Sequence, residues 1–312
     1  MTEPEPAAVS RALPIHALAD PARIREGLAG IRGLLLDLDG VMVLKGRPVP
    51  GAPEALAELN RRGVPFRIVT NTSLVGRATL AAQGARLGLA IAPERITSAV
   101  SATAAWTRRT FPGQALFVIT SDDARAEFAG QRLLAPAEAD EPGAEAAAVV
   151  IGDSPDEITY ENLNRAFRLV RRGARLVGMH RNGWWLTPAG PTLDSGAFVV
   201  GLEFATERRA LILGKPSRAF FLEAAAELLA EVAAAGSSGG TRSARRTLAM
   251  VGDDVFTDVL AGQRAGLRGV FVLSGKHGPA DLERAARRRR GGGVPDVVAP
   301  SLAEVVAALD YP

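Results

Sequence analysis

Leu34-Leu35-Leu36-Asp37-Leu38-Asp39-Gly40-Val41 is an aliphatic run that ends in two carboxylates and a glycine. Strands of a parallel sheet covered on both faces read as continuous apolar runs, and ligands collect beyond the carboxyl ends of such strands. The stretch therefore predicts a buried parallel strand with Asp37 where a site would form. Outward from it come Pro50-Gly51-Ala52-Pro53, a helical pattern with Ala55, Leu56 and Leu59 on one face, then Gly63 and a second apolar strand over 66–70. This is one βαβ unit. Short aliphatic strands over 247–251 and 269–273 repeat the pattern, so the fold class is α/β, with a Rossmann-like doubly wound parallel sheet. A long central section alternates on its own, with strands at 116–120, 147–151 and 176–179 and a helix over 161–171. We expect a loose N-terminal extension over 1–30 carrying a short helix at 21–28, a core of 31–111 plus 209–312, and an inserted α/β domain over 112–208. The Gly- and Ser-rich segment 236–246 reads as a surface loop.

Composition narrows the chemistry. The chain has no cysteine, which excludes thiol nucleophiles, disulfides and cysteine-bound zinc. Its three histidines, His16, His180 and His277, lie far apart, which removes a histidine-rich metal cluster and argues against a serine–histidine triad. Carboxylates must carry the chemistry. The net charge is +3 and aromatic residues make up 5%, without the basic and aromatic interleaving of a single-strand binder, so nucleic acid is not the expected partner. No apolar run approaches membrane-spanning length, and the start Met1-Thr2-Glu3-Pro4 lacks the layout of a signal peptide, so the expected compartment is the cytoplasm.

Four separated segments supply what phosphoryl transfer needs. In Asp37-Leu38-Asp39-Gly40 the two acids face the same way along a strand; Asp37 is the candidate nucleophile and Asp39 the candidate general acid and base. Thr70 and Asn71, at the end of the next strand, offer neutral donors to phosphate oxygens. Lys215, in Gly214-Lys215-Pro216, brings a fixed positive charge. Gly252-Asp253-Asp254, with Asp258 beyond it, adds three carboxylates. Mg²⁺ prefers hard oxygen ligands, and Asp37, the backbone carbonyl of Asp39 and Asp253 would suffice beside phosphate and water, with Asp258 holding Lys215 or a metal-bound water.

These segments, in this order, resemble the four motifs of the haloacid dehalogenase (HAD) superfamily of phosphatases, over roughly residues 31–310. About thirty residues separate Asp39 from Thr70, too few for a cap domain, whereas the interval from Thr70 to Lys215 can hold one. The chain thus looks like a type IIA, C2-capped member. Residues 160–173, 195–206, 210–221 and 251–276 resemble the NagD-like branch that contains phospholysine phosphohistidine inorganic pyrophosphate phosphatase. The resemblance implies a Mg²⁺-dependent phosphatase acting through a phospho-aspartate at Asp37 on a small phosphorylated substrate, with a mobile cap and a homodimer formed through it. A phosphotransferase on the same fold and a non-catalytic binder of a phosphorylated ligand are the alternatives; an intact acid–base pair argues against the second. Asp254 reads as a helix cap rather than a site residue. In the insertion, His180, Asn182, Trp184, Trp185 and Asp194 invite a substrate role, but the tryptophans read better as packing residues at a domain junction and Asp194 as an N-cap. The run Arg287–Arg290 reads as a solvated helix end.

Overall fold

The computed structural model describes residues 19–187, 190–234, 244–288 and 292–311. The acidic-ended run forms β1 (Gly33–Asp37), buried at all five positions. Its side chains alternate between two cores. Leu34 and Leu36 pack with Leu56, Leu59 and Val305 on one face, and Leu35 packs with Phe220, Phe221 and Met250 on the other. Each fully buried leucine contributes about 1.5–3 kcal/mol, so β1 is anchored from both sides and its end is fixed in space.

A hairpin follows, β2 (Val43–Leu44) and β3 (Arg47–Pro48), then β4 (Phe66–Thr70) and β5 (Ile96–Ser98). The smaller sheet takes β6 (Leu116–Ile119), β7 (Ala148–Ile151) and β8 (Arg175–Gly178), with a hairpin of β9 (Trp184–Thr187) and β10 (Gly190–Leu193) after them. The chain closes with β11 (Leu211–Ile212), β12 (Leu248–Gly252), β13 (Arg268–Val272) and β14 (Val297–Ala299). The larger sheet runs β14-β13-β12-β1-β4-β5, and every pair in it is parallel. β1 sits between β12 and β4, where the strand order turns back on itself. That is the switch point at which α/β sheets place ligands, and it sets Asp37 between Thr70 and Asp253.

The smaller sheet runs β11-β8-β7-β6, also parallel. Its edge strand β11 lies past residue 208, where the insertion is expected to end, because Leu211 and Ile212 pair with Val177 and Gly178. The helix Ala99–Thr110, opened by a capping box between Ser98 and Ser101, joins the two sheets: Val100 and Ala104 pack beneath the smaller sheet while Ala102 enters the core beside Leu35. A short helix, Pro21–Gly27, precedes β1 with Asp20 as its cap. The surface loop expected at 236–246 falls mostly outside the described residues, as do Arg289 and Arg290. Among the described residues, no helix is long and apolar enough to cross a membrane.

Candidate active site

The expected residues converge at the carboxyl ends of β1, β4 and β12. Asp37 ends β1, and its Oδ1 accepts the Leu38 N–H at 2.7 Å and stands 2.7 Å from Lys215 Nζ. Lys215 Nζ also lies 2.8 Å from Asp258 Oδ1, and all three residues are buried. Asp258 reaches this place because the turn after β12 is a π-helix, Val255–Val259, whose cap Asp254 accepts the N–H groups of Phe256 and Thr257. Asp258 Oδ2 in turn accepts the Asp254 N–H at 3.1 Å.

Asp253 is held from the opposite side by the loop after β13: its Oδ2 accepts the Lys276 N–H at 2.7 Å. The backbone of Gly40 and that of Gly275 close on this carboxylate so tightly that a Cβ on either would collide with it. Gly40 also has φ +78°, a left-handed conformation that glycine adopts at little cost. Ser274 Oγ donates to the Gly40 carbonyl at 2.7 Å and pins the turn.

Asn71 does something the sequence did not show. Its Oδ1 accepts the Lys215 N–H at 2.7 Å and its Nδ2 donates to the Lys215 carbonyl at 3.0 Å, so the side chain clamps the lysine backbone. Thr70, fully buried, has its Oγ1 3.0 Å from Thr72 Oγ1 and accepts the Thr72 N–H at 3.1 Å. The side-chain amide of Asn71 thus holds Lys215 through its oxygen and one N–H, and Nδ2 also lies 3.5 Å from Asn182 Oδ1.

Burial is the largest influence on the acids. It raises Asp37 to about 6, with Lys215 pulling the other way and Asp253 and Asp39 adding to the rise. Asp253 is raised to about 6 and Asp258 to about 7, again chiefly by burial. Asp39 is exposed to solvent yet crowded by protein, since it lines a cavity; that crowding raises it while Lys215 and Lys276 lower it. A raised carboxyl near the reacting centre suits proton donation and recovery. Lys215 is raised despite its burial, because Asp258 and Asp37 hold its charge.

The same groups fit a divalent cation. Asp37, Asp253 and Asp258 bring carboxylate oxygens within 4.8 Å of one another, all buried, with Lys215 the cation in direct contact with two of them. Three buried acids against one lysine leave negative charge uncompensated, and hard oxygen donors are what Mg²⁺ takes.

Asp39 opens into a cavity of about 600 Å³ between the two sheets. Apolar residues from the larger unit, among them Leu38, Leu80 and Ile91, make one wall, and Asp153, His180, Asn182, Trp185 and Asp194 from the smaller unit make the other. Here two expectations are corrected. Trp184 and Trp185 are not buried packing residues: they are 63% and 43% exposed on β9, with Trp185 lining the cavity between the two units. Asp194 is not an N-cap of the helix Gly196–Thr206; it is buried, accepts the Ser195 N–H at 2.7 Å and lies 3.5 Å from His180. Ser73, Asp153, Ser274 and Lys276 gave no signal in the sequence, because no motif marks the loops that carry them.

A family model described as haloacid dehalogenase-like hydrolase matches residues 34–133, and one described as HAD-hydrolase-like matches residues 212–305. The haloacid dehalogenase-like hydrolase domain-containing protein 2 of Bos taurus is 33% identical over 254 residues, covering 81% of this chain and 88% of that protein. The phospholysine phosphohistidine inorganic pyrophosphate phosphatase of Homo sapiens is 30% identical over 260 residues, covering 81% and 87%. Among solved structures, a 4-nitrophenylphosphatase from Thermotoga maritima superposes with TM-score 0.75 at 26% identity, covering 91% of this chain and 99% of its own. A p-nitrophenyl phosphatase from Archaeoglobus fulgidus gives 0.76 at 27%, covering 89% and 99%.

Proposed function

The chain belongs to the haloacid dehalogenase-like hydrolases and is a phosphatase of their type IIA group, and on that premise we propose that it is Mg²⁺-dependent and hydrolyses a small phosphate ester in two steps through Asp37. The observation that carries this reading is the buried contact of Asp37 with Lys215, 2.7 Å apart, beside a solvent-reaching Asp39. Lys215 holds Asp37 ionised and in place, so its carboxylate can attack phosphorus in line while Asp39 hands a proton to the departing oxygen. In the second step Asp39 takes a proton from the water that attacks the phospho-aspartate, which frees phosphate and restores both acids. Mg²⁺, held by Asp37, Asp253 and the Asp39 carbonyl, would supply neutralising charge to the phosphate. Thr70 and the backbone of Asn71 serve the remaining phosphate oxygens, and Asp258 steadies Lys215.

We read the inserted unit as a cap that closes the cavity over Asp39 and excludes water, and the core as the two flanking segments. The homodimer that the resemblance implies would bury the exposed Trp184, Leu193 and Phe204 of this unit. The test is phosphate release from p-nitrophenyl phosphate and a panel of small phosphate esters, with and without Mg²⁺, for the native chain and for Asp37→Asn. Turnover that needs the metal and disappears in the variant supports the reading. Metal-independent turnover, or turnover that survives Asp37→Asn, overturns it.

A further inference from the structure

His180 is a buried titratable group that the reaction above does not use. Its Nε2 lies 2.9 Å from Ser73 Oγ and 3.2 Å from Ser195 Oγ, and its Nδ1 accepts the Asn182 N–H at 3.3 Å. With Asp194 Oδ1 3.5 Å from Nε2, the group superficially resembles a serine–histidine–aspartate triad. The hydrogen bonds say otherwise. A ring whose Nδ1 accepts a backbone N–H carries its proton on Nε2, so it donates toward the serines and cannot remove a proton from either. Burial keeps this neutral form, holding His180 down to about 4.

The importance of Ser73 lies in where its bonds lead. It sits two residues past Asn71, in the loop that leaves β4, and the ends of three strands of the smaller sheet meet it. From the end of β6, Thr120 Oγ1 donates to the Ser73 carbonyl at 2.8 Å, and Ser121 Oγ donates to the Leu74 carbonyl. From the end of β7, the Asp153 N–H donates to Ser73 Oγ at 2.9 Å. From the end of β8 comes His180. On its other side the same loop clamps Lys215 through Asn71. One short segment thus joins the smaller unit to the lysine that holds Asp37.

We propose that Ser73 and His180 form the joint that sets the inserted unit against the phosphate-side loop, which makes both positioning residues for the reaction. Ser73 Oγ receives a donor from β7 and another from β8, so a shift of either strand end moves the loop, and with it Asn71 and the backbone of Lys215. The joint rests on the phosphatase reading only in its effect on turnover; its mechanical part stands on the hydrogen bonds alone.

The test uses the full chain with Ser73→Ala, His180→Phe, the two combined, and His180→Gln, which keeps an N–H near the place of Nε2. Hydrogen exchange is followed at 71–75, 152–154 and 179–182, and kcat and KM are measured on p-nitrophenyl phosphate with Mg²⁺. We expect Ser73→Ala and His180→Phe each to speed exchange in all three segments, to lower kcat by about tenfold or more, and to change KM less than kcat. The combined variant should be no worse than the poorer single one, since both break one joint, and Gln at 180 should regain most of the loss. Exchange that changes only in the segment carrying the substitution, or losses that add in the combined variant, would overturn the joint. If the native chain turns over no phosphate ester while exchange still couples the segments, the phosphatase reading falls and the joint stands. Ser73→Ala is a small change, so the spread of its effect to 152–154 and 179–182 still tests the joint if His180→Phe fails to fold.

Discussion

Lys215→Met removes the charge that touches Asp37 and Asp258, 2.7 and 2.8 Å away, while nearly keeping the length of the side chain. The three acids Asp37, Asp253 and Asp258 then share a buried volume without that lysine. Removing one partner of a buried ion pair costs about 3–5 kcal/mol; here two carboxylates lose the same partner, so we expect about 5 kcal/mol in EDTA once the native acids are fully ionised, above neutral pH. The pH dependence identifies the cause. In the native fold Asp37 and Asp258 are raised from 3.8 to about 6 and about 7. A folded carboxyl raised above its unfolded value keeps a proton that the unfolded chain has released, so stability falls as pH rises from about 4 through about 7. Without Lys215 both acids rise further, so the gap between variant and native chain widens with pH. It should be small near pH 4.5, where the folded acids are protonated in both chains, and large near about pH 8.5, where the native acids have ionised while those of the variant still hold protons. Urea unfolding followed by circular dichroism in EDTA measures it. A gap of equal size at both pH values would refute the claim that Lys215 acts through buried charge rather than through packing.

Three further outcomes follow from the same geometry. His180, lowered from 6.5 to about 4, stays neutral in the fold while the unfolded chain takes up a proton; stability is therefore lost as pH falls from about 6.5 to about 4, by about 3 kcal/mol, and urea unfolding should show His180→Gln without that component. Gly275→Ala drives a Cβ into the Asp253 carboxylate, so a Mg²⁺ titration of activity should show a weaker response to the metal and kcat lowered by about tenfold or more. Metal removal by EDTA should abolish turnover, and added Mg²⁺ should raise the Tm more at about pH 7.5 than at about pH 5.5, because the raised carboxyls must give up protons before they bind it.

Much of this was legible in the chain because strands buried on both faces leave little choice of residue. Leu34 to Leu36, followed at once by acids and a glycine, fit such a strand, and the acids, lysine and threonine beyond strand ends stand out against that apolar background. What stayed hidden depends on contacts across long separations. The pairing of Leu211 with Val177 extends the smaller sheet past residue 208, and a two-residue edge strand has no pattern of its own. The π-helical turn that swings Asp258 onto Lys215 looks in sequence like any capped helix start. The clamp of Asn71 on Lys215 joins residues far apart, and no local pattern in the sequence marks it. Trp184 and Trp185 read as packing residues because large aromatics usually are, yet the β9–β10 hairpin leaves them open to solvent.

The central claim is that Asp37 carries the phosphoryl group, and acid quenching during turnover addresses it directly. Cleavage after Arg32 and Lys45 releases residues 33–45, which hold both Asp37 and Asp39. Quenched with p-nitrophenyl phosphate and Mg²⁺ present, that peptide should carry one phosphoryl group, located on Asp37 by fragmentation and absent from Asp37→Asn. A phosphoryl group on any other residue, or none at all while phosphate is being released, would contradict the account.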